Sequence, residues 1–386
     1  MAESDTPGAI LVRAGTVVDP GRGLHARRDV LVRDGSIVAV TEPGDADLTG
    51  VHVFDASGCL VLPGLIDLHT HVDFVQTYLG LPPDTAGVDQ SVTTVVDAGS
   101  TGCDTYRRFA EQVVAPARTR VLSWLNISSA GLSEGPHELA DPARIRIDDT
   151  VRLIAENSAI RGIKVRMSAS VLGTNGLAPL RAAKRAAGEA GVPVMVHVGS
   201  APPALGEILD LLSAGDIVTH SFHGKRNGDG AGILDDAGRP IPEAIAAADR
   251  GVLLDVGHGS ASFNFDTFER ALDAGLVPHT VSTDLHRSNV DGPVHGLVPT
   301  MTKLLAFGFS LDDIVTAAST RPATVVGEAG RLGTVAPGAH ADLSVLRLVD
   351  SDVVLTDSDG CQRKSGRVLK PVAAVRDGQV IDARGH

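Results

Sequence analysis

The chain has 386 residues, with 34 Lys and Arg against 47 Asp and Glu, for a formal charge of −13. That balance, with no run of basic residues, excludes a nucleic-acid backbone as partner, because phosphate binding needs a basic stripe. Hydrophobic residues at 43% and charged residues at 21% exclude a disordered tail, a coiled coil and a collagen-like fibre.

The length suits two or three domains, at roughly 100–200 residues each, or one large α/β barrel with additions. Cys59, Cys103 and Cys361 are too few and too scattered for a disulfide framework and fit a reducing compartment. The first residues carry acids instead of an apolar run, so no signal peptide is expected. No apolar stretch reaches the ~18 residues of a membrane span. The expectation is a cytoplasmic protein that acts on a small molecule, with no membrane or nucleic-acid partner. Glycine is abundant, at 43 residues, and aromatics make up only 3%, which favours a compact enzyme over a base-stacking platform.

In chain order, Ile10-Leu11-Val12, Val30-Leu31-Val32 and Ile37-Val38-Ala39-Val40 read as short strands, with a hairpin turn at Asp34-Gly35. The C-terminal end repeats the pattern: a strand over 342–346, then Val372–Val375 and Val380-Ile381 around Asp377-Gly378. Both ends are therefore expected to join one small β-sandwich, residues 1–58 with 328–386. Between them, over 59–327, β-branched runs alternate with Ala-rich amphipathic stretches. The predicted strands are Leu60–Thr70, Val92–Ala98, Val121–Ile127, Ile160–Met167, Val192–Val198, Ile217–Ser221, Val252–Val256 and Val277–Asp284. Leu177–Ala190, Pro242–Asp249, Phe265–Ala274 and Leu311–Thr320 read as helices. Alternating strands and helices imply a parallel sheet, and about 250 residues is the size of a (β/α)8 barrel. An open doubly wound sheet is less favoured, since no Gly-x-Gly-x-x-Gly loop follows an early strand.

Polar residues cluster at the C-terminal ends of these strands, where barrel enzymes keep their sites. In His69-Thr70-His71 the two imidazoles share one side of a strand and could converge on a metal. Ile163 and Val165 facing the helices would send Lys164 and Arg166 inward. An ammonium inside a barrel is costly, and either a Schiff base with a carbonyl substrate or a carbamate formed with CO₂ would relieve it. His197 interrupts an apolar strand before Gly199. A lone histidine there is more often a satisfied core residue, but the set argues for a ligand. His220 ends the sixth strand, with His223 in the loop beyond. Asp284 shares strand parity with Ser282 and His286, and could bind metal and accept a proton, or simply cap a helix.

With these residues in view, the chain resembles the amidohydrolase superfamily of metal-dependent hydrolases over nearly its whole length. The resemblance rests on Pro63-Gly64-Leu65-Ile66-Asp67-Leu68-His69-Thr70-His71 and on the tail 333–343. Val95–Ser100, Lys164–Ser168, Thr219–Gly224, Asp255–Gly259 and Ser282–His286 are similar to its amidohydrolase/deacetylase branch. The resemblance implies a distorted (β/α)8 barrel with a composite β-sandwich and two divalent metals, usually zinc. His69, His71 and Asp284 would hold one and His197 and His220 the other, with Lys164 carbamylated between them beside a hydroxide. It implies attack of that hydroxide on a small acyl group, with Asp284 carrying the proton. The substrate would be an N-acyl amino acid or an O-acyl 2-hydroxy acid.

Arg166 could bind a substrate carboxylate or pair with an acid near the rim. His258 could hydrogen-bond the carbonyl, and His223, His286 and Ser100 are further candidate substrate contacts. Deaminases of the superfamily usually carry Glu where this chain has Ser200, and dihydroorotases carry Arg where it has Asp73. Cys103 is better explained as a free structural cysteine than as a ligand. A cyclic amidase, a metal-free scaffold and a lysine-based lyase are the rival readings. Such barrels often oligomerise, but no interface is readable in the sequence.

Overall fold

The computed structural model describes residues 8–45, 50–225 and 230–384. Seven parallel strands form one curled sheet in chain order: Leu65–Thr70, Val92–Ala98, Arg120–Asn126, Ile160–Met167, Val194–Val198, Ile217–Thr219 and Leu253–Leu254. Parallel strands are covered on both faces, so their sequences are nearly continuous apolar runs. Val92–Ala98 is buried at every position. Helix Ala178–Ala190 packs on Ile160–Met167 and Val194–Val198. It buries Leu180, Ala183 and Ala187 at helical spacing and stops at Gly191, whose φ of 67° closes the last turn.

Two expected strands differ. Leu60–Thr70 is broken at Gly64: Leu60–Pro63 pairs with Leu343–Thr356, whereas Leu65–Thr70 pairs with Val92–Ala98. A Cβ at Gly64 would overlap Thr93 and Asp342, so the crossing requires glycine. The expected strand Val277–Asp284 is irregular. It bridges both edges of the curled sheet, through Asp255 with Thr280 and Thr70 with Leu285. Asp284 N donates to His69 O at 2.7 Å and His71 N to Leu285 O at 2.9 Å. A regular ladder is impossible here because Asp284 has φ 52°, in the left-handed region.

The chain ends share a second sheet of eight strands, ordered Gln379–Asp382, Gln362–Arg376, Leu343–Thr356, Leu60–Pro63, Ala9–Asp19, Leu24–Arg33 and Ser36–Thr41, with His52–Asp55 also on Ala9–Asp19. Its core mixes Val12, Val30 and Ile37 with Val345, Ala373 and Val375. Both Asp-Gly hairpins are present, with positive φ at Asp34, Gly35, Asp377 and Gly378. The expected helix Leu311–Thr320 is α-helical over Leu311–Val315 and continues as a π-helical turn, Thr316–Thr320.

Candidate metal centre

His69, His71, Lys164, His197, His220 and Asp284 come from separate stretches of chain and converge at one end of the curled sheet. The ligand atoms of His69, His71 and Asp284 lie within 4.8 Å of one another. Asp284 Oδ1 is 3.3 Å from His69 Nε2 and 3.1 Å from His71 Nε2, and Oδ2 is 3.9 Å from His220 Nε2. Lys164 Nζ is 3.1 Å from His69 Nε2. The His197 and His220 rings meet edge-on, with centroids 4.5 Å apart. His220 and Asp284 both take positive φ, at 67° and 52°, a costly backbone shape for non-glycine residues that turns both side chains into the cluster.

The outer ring nitrogens fix how the imidazoles point. His220 Nδ1 donates to Gly257 O at 2.6 Å, because a carbonyl can only accept. Its Nε2 therefore carries a lone pair, and this buried atom has no hydrogen-bond partner. Thr219 Oγ1 donates to Asp255 Oδ2 at 2.7 Å, so it accepts from His69 Nδ1 at 2.8 Å. His69 Nε2 is thus also a lone pair, and it faces a carboxylate oxygen. Two acceptors this close are stabilised by a cation or a donor beside them, a place that Lys164 Nζ takes in the structure and that a bound ion could take. Ser100 Oγ lies 3.0 Å from His71 Nδ1. Metal-binding histidines are commonly oriented by such outer contacts.

Burial sets the charges. It holds His69 and His197 well below the usual imidazole range and pushes His220 down to about 3, so all three are neutral. Burial also pushes the Lys164 ammonium down to about 7, against the pull of Asp284. Neutral imidazoles, an ionised carboxylate and an amine that sheds its proton near neutral pH are the states a divalent ion needs from its ligands. The donor set therefore fits such an ion.

The remaining expected residues have defined partners. Arg166 Nη1 donates to both oxygens of buried Glu138, at 3.2 and 3.1 Å. His258 is fully buried, with Nε2 2.5 Å from Lys303 Nζ and Nδ1 3.0 Å from Gly259 O. His286 Nε2 lies 3.3 Å from Ser260 Oγ, and its ring is 6.4 Å from that of His71. His223 Nδ1 accepts from Lys225 N, and its buried Nε2 has no partner. Sequence reasoning missed Glu138 and Lys303. Each lies far along the chain from the group it meets, and neither stands in a motif. It also missed Asp255 as an organiser: this buried carboxylate accepts from Thr219, Thr280 and Ser282.

A curled parallel α/β sheet with a histidine–carboxylate cluster at its C-terminal end defines a class of hydrolase. The amidohydrolase family model matches residues 60–381. A deacetylase of Agrobacterium fabrum is 36% identical over 389 residues, covering 99% of this chain and 94% of that protein. The crystal structure of an adenine deaminase matches with a TM-score of 0.90 at 34% identity, covering 97% of this chain and 99% of that one. The crystal structure of a dihydroorotase matches at 0.88 and 36%, with the same coverage. The chain belongs to the amidohydrolase family. It is a hydrolase acting on amide bonds.

Proposed function

We propose that the chain is a metal-dependent deacylase. It removes a small acyl group, acetyl foremost, from an N-acyl amino acid or an O-acyl 2-hydroxy acid. The carrying observation is the convergence of His69 Nε2 and His71 Nε2 on Asp284 Oδ1, at 3.3 and 3.1 Å, with the ligand atoms of all three within 4.8 Å of one another. The deacetylase name of the Agrobacterium relative supports the acyl-removing branch.

His69, His71 and Asp284 would hold one divalent ion and His197 and His220 a second, zinc being our assignment. Lys164, buried and readily uncharged, is suited to react with CO₂ through Nζ, losing a proton and becoming an anionic bridge. Bound ions supply Lewis acidity toward the acyl carbonyl and acidify a water enough for it to attack at neutral pH. Asp284 takes the proton of the attacking water at a carboxylate oxygen and returns it to the leaving nitrogen or oxygen. The composite β domain of 1–58 and 328–386 braces the barrel of 59–327 in this reading.

Deamination and dihydroorotate chemistry are less favoured on two side chains. Ser200 Oγ, where a deaminase would carry its proton-shuttling Glu, is 2.8 Å from Ser168 Oγ. Asp73, where a dihydroorotase would carry Arg, accepts from Gln76 Nε2 at 2.8 Å. The test is acetate release from N-acetyl D- and L-amino acids and O-acetyl 2-hydroxy acids, with protein made in added zinc and bicarbonate. Chelator-sensitive release from one chiral series is expected. Ring opening of hydantoins or dihydropyrimidines without any acetate release would replace this reading with a cyclic amidase.

A further inference from the structure

Of the two roles open to Arg166, gripping a substrate carboxylate or pairing with an acid, the structure shows the second, with Glu138. A second cation stands beside the candidate ligand His197. Lys225 follows the turn that carries His220 and His223. Its Nζ and Ser168 Oγ lie 3.1 and 3.2 Å from the point where a Cβ on Gly199 would sit, and His197 Nε2 lies 3.5 Å from the same point. An ammonium, a hydroxyl and a candidate ligand imidazole therefore surround one small gap, which exists because residue 199 has no side chain.

Lys225 is half-buried, and among the described residues its Nζ has no carboxylate within ion-pair distance and no hydrogen-bond acceptor. Asp284 and Asp359 act on it only at longer range. A half-buried ammonium with no protein acceptor keeps its donors free for an anionic ligand, and a charge-assisted hydrogen bond to a carboxylate is among the stronger contacts it can make. Ser168 Oγ, already bonded to Ser200 Oγ and Ser200 N, offers a fixed hydroxyl beside it.

We propose that Lys225, with Ser168 and the gap at Gly199, is the subsite that binds the carboxylate of the acylated substrate. This rests on the deacylase reading. It assigns a specific cation and hydroxyl to the carboxylate that the acylated acids of that reading carry.

The test compares zinc-loaded wild type with Lys225→Met and Lys225→Arg. The probes are an acetylated acid and its carboxamide for turnover, and lactate and lactamide for calorimetric binding. Lys225→Met is expected to lower kcat/KM for the acid about 100-fold, mainly through KM, with the carboxamide changed less than about threefold. Lys225→Arg should recover most of the loss. Equal effects of Lys225→Met on acid and carboxamide, or no effect on either, would overturn the subsite. If wild type releases no acetate from either probe, the deacylase reading fails, and binding still decides the subsite. Weaker lactate binding with unchanged lactamide binding would sustain it, and unchanged lactate binding would overturn it.

Discussion

Replacing Thr219 with Val tests whether the outer contacts organise the metal centre. Thr219 touches no ion in our account. It joins His69 Nδ1 at 2.8 Å to Asp255 at 2.7 Å, and so fixes which nitrogen of His69 carries the proton. Val keeps the shape and removes the hydroxyl. The His69 N–H then has no partner in a fully buried position, a loss of about 1–3 kcal/mol. Much of that loss appears as freedom of the ring to take the wrong tautomer, so zinc affinity should fall about 10–100-fold. Competition against a chromophoric chelator measures it. Ser282→Ala is the control, because the Ser282 hydroxyl donates to the same Asp255 oxygen at 2.6 Å and contacts no imidazole, while its backbone bond from His258 N survives the substitution. It should weaken zinc binding by no more than about threefold. Thr219→Val protein that is folded and binds zinc within about twofold of wild type would refute the reasoning.

Asp284→Asn should retain most bound metal and lose turnover by about 10²–10⁴-fold, as removal of a proton-transferring group does; metal analysis beside acetate release checks both halves. Lys164→Ala should purify with little metal and regain activity only with zinc and a small carboxylate such as acetate or propionate, and full metal content without additives would contradict the carbamate. Arg166→Met should destabilise the fold by about 3–5 kcal/mol, because it leaves buried Glu138 unpaired, and Glu138→Gln in the same chain should recover part of that in urea unfolding. Lys303 gives a pH prediction. Burial pushes its ammonium down to about 7, so between pH 7 and its ordinary value the unfolded chain holds a proton that the folded chain does not. Stability should therefore rise with pH through that window by at most about 1.4 kcal/mol per unit, and Lys303→Met should remove that slope.

The strand-borne part of the candidate centre, His69, Lys164 and His197, was legible from parity, whereas His71, His220 and Asp284 lie just past strand ends or in left-handed backbone. Lys164 interrupts a run of β-branched neighbours, so its facing could be read from a two-residue period. The parallel strands were legible for the same reason, being short apolar runs covered on both faces. What sequence reasoning missed depends on long-range packing. Leu60–Thr70 looks continuous, and only the closeness of Thr93 and Asp342 shows why it must break at Gly64. Periodicity could not show that Arg166 would be met by Glu138, or His258 by Lys303, since those partners lie 28 and 45 residues away in sequence. The segment Val277–Asp284 read as a strand because of its β-branched residues. The left-handed backbone at Asp284 interrupts the ladder, and strand propensity of the neighbouring residues carries no sign of it.

The most direct measurement titrates metal-free protein with zinc, in bicarbonate buffer, while following acetate release from the best acetylated acid. The account predicts no release without metal and a rate that climbs to a plateau as the paired sites fill, with Asp284→Asn binding the same zinc but staying flat. Release at the plateau rate from protein shown to be free of metal would contradict it.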